Sequence, residues 1–434
     1  MIGCTLKTFG VPAVRGDEAY VNRAIDTPIS LEDYKALKDI VKYIGVTDEF
    51  KNAIETFNTP EGETPAGFRR EYSLAADGVL RIDLVRDISY DKNGKLRPTK
   101  VLFSADSANP YEVGPIAPLI ANLTCNPGIV YDLFINNPKA NVGGLYKTRD
   151  EVMAEIGRIL GPGCDISVEL NNPFEKDFNL ILEECAKFKE MFSKYRVVIK
   201  VPHTGAVDPE NVHQLLEGDK KLANDYTDVK TAEAFRGHNL ALKLTEAGYR
   251  INFTLMFEPY QTQLALQARP YFINTFVRHR LVQTTAMKKY VAAYEATGDK
   301  KHLEALKAYL YSVDYFSPAT IDKVSLDEVY TIAKDTIRYR RFETPEGSDG
   351  LDGMRHNLRM LRNCNMPDTR LIICSMEGPY NYPDIDKVLA EPEFQDMHHK
   401  VVITAEPNYL ARFTSTNQVT SYQRRFMNAA KGQK

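Results

Sequence analysis

Hydrophobic patterning changes character near residue 99. Before it, apolar residues recur at helical spacing over 31–43 and 47–57, and a Pro-, Gly- and Glu-rich stretch follows at 59–67. Residues 79–85 alternate apolar with polar side chains, and Lys92-Asn93-Gly94-Lys95 supplies a turn, so a hairpin is predicted there. Residues 1–99 thus read as an N-terminal extension without recognisable chemistry. Beyond them, short apolar runs rich in β-branched residues alternate with longer stretches of helical period, the pattern of repeated strand–helix units in a parallel sheet. Eight strands are predicted, at 101–106, 123–126, 166–170, 197–201, 251–257, 271–277, 371–376 and 401–405. The gap between 277 and 371 demands a helical insertion over about 284–365, with helices at 284–311, 325–339 and 353–363 and a loop at 342–352. The fold class is α/β: a (β/α)8 TIM barrel spanning 100–434, with the N-terminal extension and an insertion between strands six and seven. A doubly wound open sheet is the competitor. No strand runs into a Gly-rich phosphate loop, and the polar residues are spread over many strands.

Alternation along each strand sorts the side chains by face. In 251–257 one face is Ile251, Phe253, Leu255 and Phe257, assigned to the surrounding helices, and the other is Asn252, Thr254 and Met256. Ser167 and Glu169 lie opposite Ile166, Val168 and Leu170, while Lys200 shares its face with Val198. Glu169, Lys200, Asn252 and Thr254 are therefore predicted to point into the barrel. Asp106 joins them from the first strand, Thr124 and Asn126 from the second, and Asn274 and Phe276 from the sixth. Singly, each has a plain structural alternative: a helix cap for Asp106, a turn before Pro127 for Asn126, a backbone hydrogen bond for Thr254, a snorkelling stem for Lys200. Gathered on one surface, they point to a shared purpose. Lys200 ends the apolar run Arg196-Val197-Val198-Ile199, where burial is expected to lower its pKa and leave neutral amine for attack on a sugar carbonyl. A lysine, two carboxylates, a hydroxyl and an amide meet the needs of class I aldol chemistry. The amine forms an imine, one carboxylate moves the proton whose loss breaks a carbon–carbon bond, and the other works on the water lost and regained.

Composition narrows the partners. A formal net charge of -3 and a pI near 6.3 give no basic field for nucleic acid or an anionic membrane surface. No apolar run reaches the length of a membrane span and no leader pattern opens the chain, so a cytoplasmic location is expected. The six cysteines lack paired short spacing and read as reduced thiols; the eight histidines lack metal spacing, so neither metal nor cofactor is expected. The insertion carries Leu303, Leu306, Tyr309 and Leu310 at helical spacing, suited to packing within the chain or to a homo-oligomer. Either the insertion or the extension is a candidate to cover the barrel mouth.

Four motifs carry a family resemblance: Asp106-Ser107-Ala108-Asn109, Thr124-Cys125-Asn126-Pro127, Lys200-Val201-Pro202-His203-Thr204, and Ile251-Asn252-Phe253-Thr254-Leu255-Met256-Phe257 followed by Gln261. In order and strand placement they resemble the transaldolase family over roughly residues 100–280. The resemblance implies Lys200 as the Schiff-base lysine, Asp106 as the acid/base for cleavage, and Glu169 and Thr254 as holders of the catalytic water. Asn126 and Asn252 would hold the dihydroxyacetone unit. Fructose 6-phosphate aldolases of the same superfamily usually have glutamine where Glu169 stands and tyrosine where Phe276 stands. The implied reaction is therefore transfer of a three-carbon unit from a ketose to an aldehyde. Aldol cleavage with release to water is the alternative, and a silent sugar-binding barrel the non-enzymatic one. The substrates expected are sugars or sugar phosphates. The family ends its sixth strand with a serine and an arginine that bind phosphate, where this chain reads Asn274-Thr275-Phe276-Val277-Arg278-His279-Arg280. His279 aligns with that arginine, and Arg278 and Arg280 are the candidate replacements. Ser375-Met376-Glu377 stands where a second phosphate arginine is expected, and Glu258 replaces a family serine. An altered substrate tail follows: an unphosphorylated sugar, a sulfonate, or a phosphate held from new positions.

Overall fold

Eight parallel strands close on themselves in the computed structural model, which describes residues 3–57, 59, 61, 64–91, 95–192, 195–375, 381–412 and 414–432. They are β1 (Leu102–Asp106), β2 (Ile120–Cys125), β3 (Asp165–Glu169), β4 (Arg196–Pro202), β5 (Ile251–Thr254), β6 (Phe272–Val277), β7 (Arg370–Ser375) and β8 (Val401–Ala405). Each pairs with its sequence neighbour, and β8 returns to β1 through Ala405 opposite Ala105, so the sheet has no free edge and is not a doubly wound one. Outward-facing Ile, Val and Leu meet the apolar stripes of the helices in one continuous core. The helix Arg149–Leu160 is typical. Thr148 and Glu151 form a capping box at its start, and Val152, Met153, Ile156 and Leu160 are buried.

Inside, the barrel is layered. Leu102, Ala121, Val198, Phe272, Ile372 and Val402 close the end where the strands begin. Above them, Asn122 donates to Ser104 and accepts from Ser167, at 2.9 and 3.0 Å, and Thr404 donates to Ser104 at 3.1 Å. This satisfied polar layer supports the inward residues nearer the C-terminal strand ends.

The N-terminal residues form a three-stranded sheet, Tyr43–Val46, Phe68–Leu74 and Val79–Arg86, with its own core including Leu6, Ile44, Phe50, Leu80 and Ile82. The hairpin is made with the preceding strand 68–74; residues 92–94 of the expected turn lie outside the described residues. The helix expected over 31–43 stops at Leu37, because Tyr43–Val46 is drawn into the sheet beside Val79–Ile82. This unit docks on the barrel floor, away from the mouth. Ile88 enters the apolar floor cluster, Arg86 reaches Asp165 at 3.0 Å, Arg370 reaches Asp87 at 2.9 Å, and Arg196 Nη1 donates to the Gly67 carbonyl at 2.5 Å.

Between β6 and β7, the helices His279–Thr297, Lys301–Ser312 and Leu326–Tyr339 share a core of Met287, Leu303, Leu306, Leu310, Val329 and Ile337. The single helix expected over 284–311 is broken at Gly298, whose φ of 68° ends the first segment in a left-handed cap. Leu303, Leu306 and Leu310 pack inside this unit. Asp352–Arg362 then returns to the barrel wall against β6 and β7. Sequence patterning did not anticipate Asn417–Gly432, a C-terminal helix with no buried residue. No described helix is long and apolar enough to cross a membrane.

Candidate active site

Lys200 is held where a strand running through the barrel interior reaches open space. The inward face of β4 presents Arg196, Val198 and Lys200, and Lys200 is 7% exposed at a cavity of about 750 Å³ at the C-terminal strand ends. On the neighbouring strand Glu169 stands opposite Lys200 in register, with its Oε2 3.2 Å from the ammonium. Burial alone presses the lysine pKa down. Glu169 and then Asp106 outweigh it, and the ammonium sits above its ordinary value. This corrects the expectation of a lowered pKa, which counted burial without the adjacent carboxylates. The Asp106 pKa is also raised, but there burial prevails: it lifts the carboxyl above the usual 3.8, against the Lys200 charge and a 2.9 Å hydrogen bond from Thr124 Oγ1. The resting site therefore holds a charged amine beside carboxylates, one of which takes protons readily.

Thr124, Asn126, Thr254, Asn274 and Phe276 line the same cavity. Asn126 Oδ1 accepts from the Ile129 amide at 2.8 Å, so its carbonyl closes a turn and its NH2 group remains for a ligand. Asn252 does not line the cavity. It lies beside Lys200 in register, behind Asn274, which donates to its Oδ1 at 2.5 Å; its own Nδ2 has no partner among the described residues.

The strand containing Asn252 is shorter than its sequence pattern. β5 stops at Thr254 because Leu255 takes a φ of 57°, which breaks the period of two. Met256 consequently enters the outer core, and Phe257, expected to face the helices, turns into the cavity and stacks on Phe276 with centroids 4.4 Å apart. Gln261 clamps this loop by accepting from the amides of Phe257 and Glu258 at 2.8 Å, with its Nε2 3.1 Å from His203 Nδ1. Burial and His238 push His203 down to about 4, so its ring is neutral near pH 7.

Arg278, His279 and Arg280, expected as substrate-binding residues, are not in the cavity wall. Arg278, at a φ of 66°, turns the chain from β6 into the insertion, so these side chains meet the acids around it. Arg278 forms a two-pronged pair with Asp384, at 2.5 and 2.9 Å. Arg280 is buried between Asp352 at 2.6 Å and Glu258 at 2.9 Å, and Arg340 pairs with Glu258 at 2.8 Å. Glu258 thus serves as counter-ion to two buried arginines. His279 lies against Phe257, centroids 4.7 Å apart, with its Nε2 3.3 Å from Gln283. The Ser375 side chain and Glu377 lie outside the described residues.

Glu406, Asn408, Tyr409 and Arg412 also line the cavity, from the segment following β8. Sequence reasoning passed over them, although the rule that barrel chemistry gathers after the strand ends applies to β8 as to the others. No three His, Cys, Asp or Glu side chains among the described residues converge as metal ligands.

The model of the Transaldolase/Fructose-6-phosphate aldolase family matches residues 103–339. A search of curated proteins returned no match.

Proposed function

The chain belongs to the Transaldolase/Fructose-6-phosphate aldolase family, and from that membership we infer that the barrel moves a three-carbon dihydroxyacetone unit from a ketose to an aldehyde. The observation that carries this reading is the Lys200–Glu169 pair at 3.2 Å, open to a cavity that Asp106 and Thr254 also line. The ammonium passes a proton to Glu169, and the neutral amine adds to the ketose carbonyl carbon. Glu169, with Thr254, returns that proton to the departing hydroxyl, and water leaves as the imine forms. Asp106 takes the proton of the C4 hydroxyl, the C3–C4 bond breaks, an aldehyde departs, and the electron pair rests in the enamine. An acceptor aldehyde then reverses these steps: the enamine carbon attacks it, Asp106 supplies the proton, and water returns at the imine to free the new ketose. Burial raises the Asp106 carboxyl above its usual value, which suits it to take up and return a proton. Asn126 is the donor assigned to the three-carbon unit, and Asn252, buried behind Asn274, helps to hold Asn274 in the cavity wall. Transfer is favoured over release because Phe257 and Phe276 stack in the cavity wall, an apolar surface that keeps water from the enamine.

The test is borohydride trapping with a panel of ketoses, phosphorylated and not, with peptide mass mapping and a Lys200→Ala control. A reduced three-carbon adduct on Lys200 is expected, and new ketose only when an aldehyde is added. Free three-carbon ketone formed steadily without acceptor would establish cleavage instead. No adduct from any ketose on the folded protein would remove the Schiff-base reading.

A further inference from the structure

The turn that brings Phe257 into the cavity is strained, so something must hold it. Leu255 takes a φ of 57°, disfavoured for a branched side chain, at the cavity rim where it is 43% exposed and packing does little to fix it. On one side the turn is anchored by Glu258, which pairs with the buried Arg280 and Arg340. On the other it is anchored by Gln261, whose Oε1 accepts from the Phe257 and Glu258 amides at 2.8 Å and whose Nε2 donates to the Leu255 carbonyl at 3.2 Å.

Backbone amides can only donate, so the oxygen of the Gln261 side chain must face them and its NH2 group must face the other way. That group also lies 3.1 Å from His203 Nδ1. His203 therefore accepts there, as the neutral tautomer with its proton on Nε2, and the low pKa given by burial and His238 keeps it neutral near pH 7. The ring has a fixed seat of its own. The His203 amide continues the β4–β5 pairing by donating to the Thr254 carbonyl at 3.0 Å, and the ring stands edge-on to buried Phe253, centroids 5.3 Å apart. β4 thus acts on the cavity twice: directly through Lys200, and through His203 and Gln261 on Phe257. Neither His203 nor Gln261 lines the cavity.

We propose that His203 is a positioning residue: by accepting from Gln261 it holds the Leu255 turn, keeps Phe257 on Phe276, and so sets how the enamine divides between transfer and release. The inference rests on the Schiff-base reading above and names a residue that governs its outcome. Water admitted past a displaced Phe257 gives a proton to the enamine carbon, and the hydroxide left adds at the imine carbon that results. One water is consumed, and three-carbon ketone and free amine are released. Transfer instead joins the same carbon to the acceptor aldehyde.

Two variants separate the hydrogen bond from the ring. His203→Phe keeps a ring against Phe253 and removes the acceptor, whereas His203→Asn loses the ring and sets a carbonyl oxygen near the place of Nδ1. The first readout needs no substrate: hydrogen exchange of the Phe257 and Glu258 amides, followed by mass spectrometry. In His203→Phe exchange is expected to quicken about threefold to tenfold, the worth of one hydrogen bond, and His203→Asn is expected to recover most of the protection. The second readout is the ratio of three-carbon ketone released to ketose formed at one fixed aldehyde concentration. It is expected to rise by a similar factor in His203→Phe and to return toward the unaltered value in His203→Asn. In Gln261→Leu both readouts rise further, and adding His203→Phe changes neither by more than about 1.5-fold, because the two residues act through one contact.

Exchange or a ratio within about 1.5-fold of the unaltered protein in His203→Phe overturns the proposal, being less than the weakest such bond supplies. So does a His203→Asn that behaves like His203→Phe, which would make ring packing the cause. Adducts on Lys200 and transfer to aldehyde, with exchange unchanged, remove this proposal alone. Quickened exchange without any ketose adduct removes the Schiff-base reading and leaves the hold of His203 on the turn.

Discussion

β3 and β4 carry a buried ion pair at each end. At the floor Asp165 faces Arg196, with 3.1 Å between carboxylate and guanidinium; at the mouth Glu169 faces Lys200 at 3.2 Å. Both pairs lie opposite one another in register on the inward faces of the same two strands, four residues or about 13 Å apart. Their surroundings have opposite polarity. Arg86 adds a second cation at the floor, and burial holds its pKa well below the ordinary value. Asp106 adds a second carboxylate at the mouth, and the lysine pKa is raised. The floor pair is sealed by the N-terminal unit, with Arg196 bonded to the Gly67 carbonyl, whereas the mouth pair opens on the cavity. A buried ion pair alone therefore says little about function. Access for a molecule able to take the place of one partner is what separates the two.

Exchanging each carboxylate for its amide breaks the comparison most sharply. Glu169→Gln is expected to slow formation of the Lys200 adduct by about 10² to 10⁴, the range for a positioned proton-transfer group, as measured by single-turnover trapping. It also leaves burial less opposed, so the Lys200 pKa falls, and acylation of Lys200 followed by peptide mapping begins at lower pH. The sign for stability follows from the same shift. With the folded pKa above the usual 10.5, the contribution of the wild-type pair is fully present below about pH 10.5 and is lost as pH rises through the folded value. In Glu169→Gln that alkaline loss diminishes.

At the floor, Asp165→Asn leaves Arg86 and Arg196 buried without their shared anion. Urea unfolding is expected to show a loss of about 3–5 kcal/mol, with turnover per folded molecule retained. Gly67→Ala disturbs the same end more gently. A methyl group there would start 1.5 Å from Arg196 Nη1, at a φ of 71° that disfavours any side chain. A loss of about 1–3 kcal/mol by urea unfolding is expected, part from the backbone and part from moving the guanidinium.

The mouth was more legible in the sequence than the floor. Asp106, Glu169, Lys200 and Thr254 follow strand alternation, a local rule, and each lies in a run whose outward residues are plainly apolar. Asp165 and Arg196 obey the same alternation but stand at strand starts, and their partners Arg86 and Gly67 come from a unit whose docking depends on contacts remote in sequence. The eight-strand barrel was legible because each strand is followed by its own helix. The N-terminal sheet was less so: the strand Phe68–Leu74 contains Arg69, Arg70 and Glu71, and only its pairing with Val79–Arg86 makes a strand of it. Leu255 and Arg278 show a further limit. Each takes a positive φ that its residue type does not announce, and each redirects the side chains that follow, Phe257 into the cavity and Arg280 away from it.

Arg278 gives the mildest test of the comparison, because its pair with Asp384 belongs to neither class. The pair has the two-pronged geometry of a strong contact, yet the arginine side chain is 25% exposed, so solvent screens it. Arg278→Ala is expected to cost no more than about 1 kcal/mol in urea unfolding. A KM change within about twofold is expected for a ketose phosphate, too small for the loss of a charge-assisted contact. The partner variant Asp384→Ala should show a comparably small stability change, since the guanidinium it leaves behind is 25% exposed and water can solvate it. A rise in KM of tenfold or more confined to phosphorylated substrates would mean that Arg278 leaves Asp384 for the substrate. The anion site would then lie at the end of β6, and the distinction between an accessible mouth pair and sealed structural pairs would have to admit a third kind, paired at rest and recruited on binding.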